Sequence, residues 1–277
     1  MTKQLLSKIE GCYSSMSKGH KRIADYITEN YDKAAFMTAA KLGDTVGVSE
    51  STVVRFASEL GFSGYPQLQK TLQEVVKSRL TSVQRMEAAG GEDMLEHAFS
   101  SDIETIKATR ESISREAFNA SVEAINRAKH IYVLGVRSAA SLASFAAFYL
   151  NFVYDSVTLI EPAGTGEAFD QAFRINKDDV CIAISFPRYS KQTINMLRFI
   201  SDRGATVISV TDSENSPIAQ FATHLLLARS SMVSFVDSLV APLSLINALI
   251  AAAASEKSGE VYSNLSSLEN IWDEYQI

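Results

Sequence analysis

Hydrophobic residues recur at helical spacing in short blocks through the first 80 residues of the chain. Ile23 and Ile27 are four positions apart, and Val53 and Phe56 are three positions apart. This spacing places apolar side chains on one face of a helix. The pattern therefore predicts a compact all-α bundle over residues 1–80.

The pattern changes after residue 80. Residues 81–105 contain two adjacent glycines and several charges without a long apolar stripe, and we expect them to form a linker. Short β-rich runs then alternate with helical stretches such as 141–151, 193–203 and 235–253. The runs are 130–134, 157–160, 180–185, 206–210 and 224–227. The alternation predicts an α/β domain over residues 106–277, built on a doubly wound parallel five-stranded sheet.

Charge is distributed unevenly over a chain whose formal net charge is -6. Residues 1–80 carry 11 Lys/Arg and 8 Asp/Glu, whereas the remaining residues carry 15 and 24. The mildly basic part is the helical one, which permits contact with nucleic-acid phosphates there and disfavours it elsewhere. Cys12 and Cys181 show neither disulfide nor zinc spacing, so no metal or cofactor is expected.

Residues 38–61 carry the most specific pattern, that of two capped helices joined by a tight turn. Thr38 is suited to cap a first helix, Gly47 to end it in the left-handed conformation, and Ser49 to cap a second helix. Gly43 is small at the position where two such helices would cross. The pattern predicts a helix-turn-helix. The alternative is a structural helical hairpin whose polar face meets solvent.

The second helix of this motif has an apolar face and a polar face. At about 100° per residue, its apolar residues share one side, whereas Ser51 and Arg55 point the opposite way with Thr52 beside them. Short hydroxyls reach base edges or phosphates, and arginine grips a guanine or a phosphate. This helix therefore has the face of a recognition helix.

Three blocks resemble the N-terminal domain of RpiR-type (MurR/RpiR) regulators, nearly continuously over residues 1–78. They are Lys21-Arg-Ile-Ala-Asp-Tyr-Ile27, Gly47-Val-Ser-Glu-Ser-Thr-Val-Val-Arg-Phe56 and Leu60-Gly-Phe-Ser-Gly-Tyr-Pro66. The resemblance implies a dimeric DNA-binding module whose second motif helix enters the major groove. Position by position, it implies DNA contacts by Ser49, Ser51, Thr52 and Arg55, with Lys41 and Lys70 as phosphate anchors. Tyr65 and Pro66 are interpreted as a packing turn before the next helix.

In the same family the second domain is a SIS (sugar isomerase) fold, a phosphosugar-binding α/β module. The family's first ligand loop resembles Gly-x-Gly-x-Ser, where this chain has Gly135-Val-Arg-Ser138. Its loop after strand three resembles Ser-x-Ser-Gly-x-Thr, where this chain has Ser185-Phe-Pro-Arg-Tyr-Ser190. The resemblance, with the cations of these loops, implies an effector site formed by Gly135, Arg137, Ser138, Ser185, Arg188, Ser190 and Lys191.

The cations Arg137, Arg188 and Lys191 are expected to gather at one rim of an otherwise acidic domain, with hydroxyls between them. This arrangement predicts a small anionic effector, with phosphosugars and sugar acids as the candidate class. The alternative is that the cations pair with acidic residues near strand ends, namely Glu161, Glu167 and Asp212. Asp237, on the predicted final helix, is interpreted as a cap, a dimer contact or a ligand contact.

The favoured function is a transcription regulator whose affinity for a double-stranded DNA operator is controlled by the anionic effector, acting as a homodimer or homotetramer. A sugar-phosphate isomerase is the enzymatic alternative, with Glu161, Glu167 and His224 as candidate bases. A scaffold whose helical domain binds protein is the third candidate function.

The N-terminus shows no export signal and the apolar run 239–254 is too short to span a bilayer. We therefore expect a cytoplasmic protein without membrane association.

Overall fold

The computed structural model describes residues 8, 9, 11–79, 82–88, 93–161 and 166–276. The chain divides into two compact units, Met1–Gly90 and Gly91–Ile277. One hydrophobic core lies in the first unit and two lie in the second. The predicted domain boundary at residues 80 and 81 lies outside the described residues.

The described part of the first unit is all-α, as predicted. Its helices are α1 (Lys18–Glu29), α2 (Tyr31–Ala34), α3 (Ala39–Val46), α4 (Glu50–Glu59), α5 (Tyr65–Arg79) and α6 (Ser82–Ala88). The apolar residues that recur at helical spacing meet in one core, including Ile23, Ile27, Leu42, Val53, Phe56, Leu68 and Leu72. Tyr65 starts α5 and is buried, and its hydroxyl donates to the carbonyl of Met37 at 2.7 Å.

The second unit is an α/β fold around a parallel five-stranded sheet. Two helices come first, α7 (Met94–Ser112) and α8 (Arg115–Arg127). The chain continues through β1 (Ile131–Gly135), α9 (Ala139–Leu150), β2 (Val157–Ile160), α10 (Glu167–Ala172), β3 (Val180–Ile184), α11 (Lys191–Asp202), β4 (Thr206–Thr211) and β5 (His224–Leu227). It ends with a two-stranded hairpin, β6 (Ser231–Met232) and β7 (Asp237–Ser238), followed by α12 (Val240–Glu256) and α13 (Ser258–Tyr275).

The sheet has the strand order β2-β1-β3-β4-β5, and every neighbouring pair is parallel. Strand β3 shows why both faces must be covered, because all five of its residues are buried. Val180, Ile182 and Ile184 contribute to one core, whereas Cys181 and Ala183 contribute to the other. Successive residues of a strand point to opposite faces of the sheet, so the two cores cover both faces. The prediction of a doubly wound sheet is therefore confirmed.

Two helix starts differ from the sequence analysis by more than two residues. Helix α7 begins at Met94, inside the segment interpreted as a linker, because the Asp93 side chain accepts hydrogen bonds from the backbone N–H groups of Leu95 and Glu96. The final helix was predicted from residue 235 but begins at Val240. This start leaves Pro242 in the first turn, where its missing N–H is not needed.

In the described part of the chain, no helix is both long enough and apolar enough to cross a membrane.

Candidate functional site

The turn between α3 and α4 and the capping residues of both helices are as predicted. Thr38 Oγ1 accepts a hydrogen bond from the Lys41 backbone N–H at 3.2 Å and starts α3. Gly47 ends that helix in the left-handed conformation, with φ 70°. Ser49 Oγ then accepts from the Thr52 backbone N–H at 3.3 Å and starts α4. The helix-turn-helix geometry is therefore encoded by local side chains.

Gly43 lies where α3 meets the start of α4. A β-carbon added there would be 2.8 Å from the Val48 carbonyl oxygen and 3.3 Å from the backbone nitrogen of Glu50. Both neighbours are backbone atoms, which cannot rotate aside as a side chain does. The close approach of the two helices therefore depends on the absence of a side chain at Gly43.

The exposed face of α4 carries the predicted DNA contacts. Ser49 Oγ is hydrogen-bonded to Ser51 Oγ at 2.9 Å and to Thr52 Oγ1 at 2.8 Å, so three hydroxyls meet at the N-terminus of the helix. Arg55 is exposed one turn later, and its Nε donates to the Ser51 carbonyl at 3.3 Å. The structure thus brings these four residues onto one patch.

Lys41 and Lys70 are exposed on α3 and α5, outside this hydroxyl cluster. Their assignment as phosphate anchors stays a prediction, as does DNA contact by the residues of α4.

Two residues missed by the sequence analysis hold the recognition helix in place. His20 Nδ1 lies 2.5 Å from Glu59 Oε2, which joins α1 to the end of α4, and the His20 ring packs edge-on against Phe56. Arg22 Nη1 donates to the Gly47 carbonyl at 3.4 Å in the turn. His20 and Glu59 are 39 positions apart, so no local pattern signals their pairing.

In the second unit, the loops that follow β1 and β3 line one shallow open cleft, which encloses a volume of only about 20 Å³. They meet because β1 and β3 are neighbours in the sheet and both end at the same edge. Five of the seven predicted effector residues line this cleft, namely Arg137, Ser138, Ser185, Arg188 and Ser190. Parallel sheets bind ligands beyond the carboxyl ends of their strands, which is where this cleft lies.

Arg137 and Arg188 have backbone φ values of 59° and 70°, in the left-handed region. Arginine occupies this region at a steric cost, because its β-carbon approaches the following carbonyl oxygen. Both residues lie in the cleft, one in each loop. Strained backbone conformations of this kind cluster at ligand sites.

Gly135 and Lys191 do not line the cleft. The sequence analysis placed Gly135 in the effector site, but a β-carbon there would lie 2.5 Å from the Ala139 carbonyl oxygen and 2.9 Å from Ala143 Cβ. The glycine thus makes room for α9 rather than for a ligand. Lys191 is the exposed first residue of α11, whose cap Ser190 accepts a hydrogen bond from the Gln192 N–H at 3.2 Å.

Arg188 of the cleft forms an ion pair with a partner that the sequence analysis did not foresee. Arg188 Nη2 lies 3.2 Å from Asp237 Oδ2 in β7, and these side chains are 30% and 10% exposed. Asp212, one of the acidic alternatives, instead accepts a hydrogen bond from the hydroxyl of Tyr189 at 2.6 Å. Burial raises the pKa of Asp212, and the hydrogen bonds from Tyr189 and Thr211 oppose that rise.

The candidate isomerase bases are not gathered at one place. Glu161 follows β2 at the carboxyl edge of the sheet and is exposed, and Glu167 is exposed at the start of α10. His224 is the first residue of β5 and lies near Val180 and Thr206, at the amino ends of the strands. Among the described residues, no group of three or more His, Cys, Asp or Glu is placed to hold a metal ion.

Comparison with known families matches both units. A family model described as "Helix-turn-helix domain, rpiR family" matches residues 3–79, and one described as "SIS domain" matches residues 124–252. The transcriptional regulator HexR of Pseudomonas aeruginosa is 25% identical over 228 residues, which cover 80% of this chain and 77% of HexR.

Two solved structures are also similar to this chain. The sugar isomerase domain of an RpiR transcription factor from Sphaerobacter thermophilus is 30% identical, with a TM-score of 0.59, and the match covers 62% of this chain and 96% of that domain. The NanR protein of Vibrio vulnificus, solved in complex with ManNAc-6P, shares the fold over 98% of both chains, with a TM-score of 0.61 and 22% identity. With its helix-turn-helix and its α/β unit matched in this order, the chain belongs to the RpiR family of transcriptional regulators with a SIS domain.

Proposed function

We propose that this regulator binds its operator through the exposed polar face of α4 and that a phosphorylated or acidic sugar in the cleft changes its affinity for DNA. The observation that carries the proposal is the cleft itself. Two arginines with left-handed backbone and three serines converge there from two separate loops. This donor set is suited to an anion that also carries hydroxyls.

A phosphate group fits the charges and dipoles of the cleft. Ser138 and Ser190 occupy the N-cap positions of helices α9 and α11, and a helix N-terminus offers unpaired N–H groups and a positive dipole end. Ser138 makes no side-chain hydrogen bond to cap its own helix, and it is exposed. The complex of NanR with ManNAc-6P supports the choice of a phosphosugar as the first class to test.

The DNA-binding part of the proposal rests on α4. Ser49, Ser51 and Arg55 are exposed and Thr52 is half-buried. The residues on the other face, Val53, Phe56 and Ala57, are buried. A second copy of the chain would supply a second recognition helix for a two-fold operator, since half-sites lie about one DNA turn apart. We place this function in the cytoplasm, in a homodimer or homotetramer without isomerase activity.

The DNA contact is tested by fluorescence anisotropy with the DNA upstream of the protein's own gene. Arg55→Ala is expected to weaken binding by about 1–3 kcal/mol, the range for a bidentate base contact. Arg127→Ala is the matched control, because Arg127 is exposed on α8 and pairs with Glu123 on the same helix. If Arg55→Ala and wild type bound DNA with equal affinity, α4 would be rejected as the DNA-recognition surface.

The effector site is tested by thermal shift with sugar phosphates, sugar acids and inorganic phosphate. A ligand at about 100 times its dissociation constant stabilises the native state by about 2.7 kcal/mol. The double variant Arg137→Gly/Arg188→Gly is expected to lose this stabilisation, and glycine adopts the same backbone conformation without strain. Arg198→Gly, at an exposed position of α11, is the control and removes one positive charge away from the cleft. An undiminished shift in the double variant would reject the site.

A further inference from the structure

A series of polar contacts links the cleft to helix α7 through the hairpin of residues 231–238. Arg188 of the cleft pairs with Asp237 at 3.2 Å. The next residue, Ser238, donates a hydrogen bond from its hydroxyl to Asp102 Oδ1 of α7 at 2.5 Å. Just before the hairpin, the Arg229 backbone N–H donates to Thr109 Oγ1, also on α7, at 2.9 Å. The hairpin is therefore held from both sides.

The hairpin has little stability of its own. Its strands pair at only two positions, Ser231 with Ser238 and Met232 with Asp237. The side chains at its tip, Phe235 and Val236, are 50% and 51% exposed. Because an isolated two-stranded hairpin is marginal in water, the position of this one depends on its anchors.

The ion pair is the anchor that an effector would disturb. The Asp237 side chain is only 10% exposed, so loss of its guanidinium partner would leave a carboxylate in a poorly solvated place. A phosphomonoester carries a charge of about -1.5 to -2 at neutral pH, more than the single charge of a carboxylate. A phosphate in the cleft therefore competes with Asp237 for Arg188.

Movement of the hairpin would be passed on to helix α7. It is the first helix of the second unit, and the chain enters that unit through it after the DNA-binding unit. Thr109 is buried and Asp102 is half-buried, so both contacts lie on the packed side of the helix. Movement of the hairpin would change the hydrogen bonds of α7 at two positions, seven residues apart.

We propose that the Arg188–Asp237 ion pair is a latch. An anionic effector draws Arg188 away from Asp237, the hairpin 231–238 loosens from α7, and α7 transmits the change toward the DNA-binding unit. This inference rests on the proposed function, because it requires an anion in the cleft.

The first test is hydrogen–deuterium exchange of the full chain without ligand. Asp237→Asn removes the charge and keeps the shape, and roughly tenfold faster exchange is expected in the hairpin and in the part of α7 from Asp102 to Thr109. Glu214→Gln is the control, since it removes the same charge from an exposed loop after β4 and is expected to leave both segments unchanged. Faster exchange in the hairpin with α7 at the wild-type rate would overturn the coupling.

A second variant separates the latch from a local loss of folding. Ser238→Ala removes the hydrogen bond to Asp102 and leaves the ion pair in place. We expect faster exchange around Asp102 of α7, and inorganic phosphate should then loosen the hairpin without a further effect around Asp102, although the contact of Arg229 with Thr109 remains. If phosphate still accelerates exchange around Asp102 in Ser238→Ala to the wild-type extent, the proposed route is wrong.

DNA affinity gives the functional readout. Asp237→Asn without ligand is expected to change affinity for the protein's own upstream DNA by about fivefold or more, in the direction that inorganic phosphate produces in wild type. If wild type binds phosphate and DNA while Asp237→Asn leaves both DNA affinity and α7 exchange unchanged, the latch alone is rejected. If wild type binds neither, the proposed function fails, and exchange without ligand then decides only whether the Arg188–Asp237 ion pair is coupled to α7.

Discussion

Helix α3 approaches the start of α4 so closely at Gly43 that a β-carbon there would lie 2.8 Å from the Val48 carbonyl oxygen. Two effects therefore oppose each other in Gly43→Ala. Helix propensity favours alanine by about 1 kcal/mol. Overpacking against fixed neighbours costs about 1–3 kcal/mol. Since the nearest atoms belong to the backbone of the turn, we expect a steric cost in the upper half of this range, about 2–3 kcal/mol, and therefore a net destabilisation of about 1–2 kcal/mol.

The assay is amide exchange of α3 and α4 in the full chain, together with affinity for upstream DNA, which should fall as the turn shifts. The only tryptophan, Trp272, lies in the second unit, so its fluorescence should report unfolding there as in wild type.

Gly19→Ala is the matched control in the same unit. The nearest atoms to a β-carbon at Gly19 would all belong to side chains, at the ordinary distances of 3.4 Å for Thr52, 3.5 Å for Val48 and 4.0 Å for Ser17. This variant should exchange no faster than wild type. If Gly43→Ala is as stable as wild type or more stable, the argument from close helix approach is refuted.

Three further variants test the packing. Gly135→Ala puts a β-carbon 2.5 Å from the Ala139 carbonyl oxygen, so urea unfolding should show a loss of about 1–3 kcal/mol in the second unit; unchanged stability would contradict this. Burial raises the pKa of the Cys181 thiol from 9.0 to about 12, so the unfolded chain loses this proton first as pH rises. The native state should lose about 1.4 kcal/mol by pH 10, and Cys181→Val should abolish that part of the alkaline loss; equal slopes in both proteins would show that the thiol is not responsible. Tyr65→Phe should cost only about 0.5–1 kcal/mol in thermal unfolding, because the Met37 carbonyl also accepts from Gln69 at 2.8 Å, and a larger loss would mean that the hydroxyl has another role.

Features encoded by neighbouring residues could be predicted from the sequence. Strands β2 and β5 have the predicted bounds, and the other three differ by one residue at one or both ends. Thr38, Gly47 and Ser49 cap the helices as predicted because each acts on a backbone group within a few residues. The cleft loops could also be located, since the ends of adjacent parallel strands meet at one edge.

Contacts between distant residues could not be predicted in this way. Arg188 and Asp237 are 49 positions apart, and the hairpin that presents Asp237 has only two paired residues on each strand. The hairpin sequence resembles the start of an apolar helix, although Pro242 favours a helix that begins later. The sequence analysis assigned Gly135 to the effector site. Its contact with α9 could not be predicted, because that contact depends on packing that the loop sequence does not show.

The left-handed arginines of the cleft also bear on attempts to make this protein more robust. Each costs about 1–2 kcal/mol relative to a residue that suits its backbone. A thermostability screen would therefore favour glycine at position 137, and the winning variant would withstand heat better while losing a cation from the sensor. At position 188 the loss of the ion pair with Asp237 opposes the gain from relieved backbone strain. Selection for effector response should retain both arginines, so the two selections applied in parallel would act in opposite directions on the loop that contains Arg137.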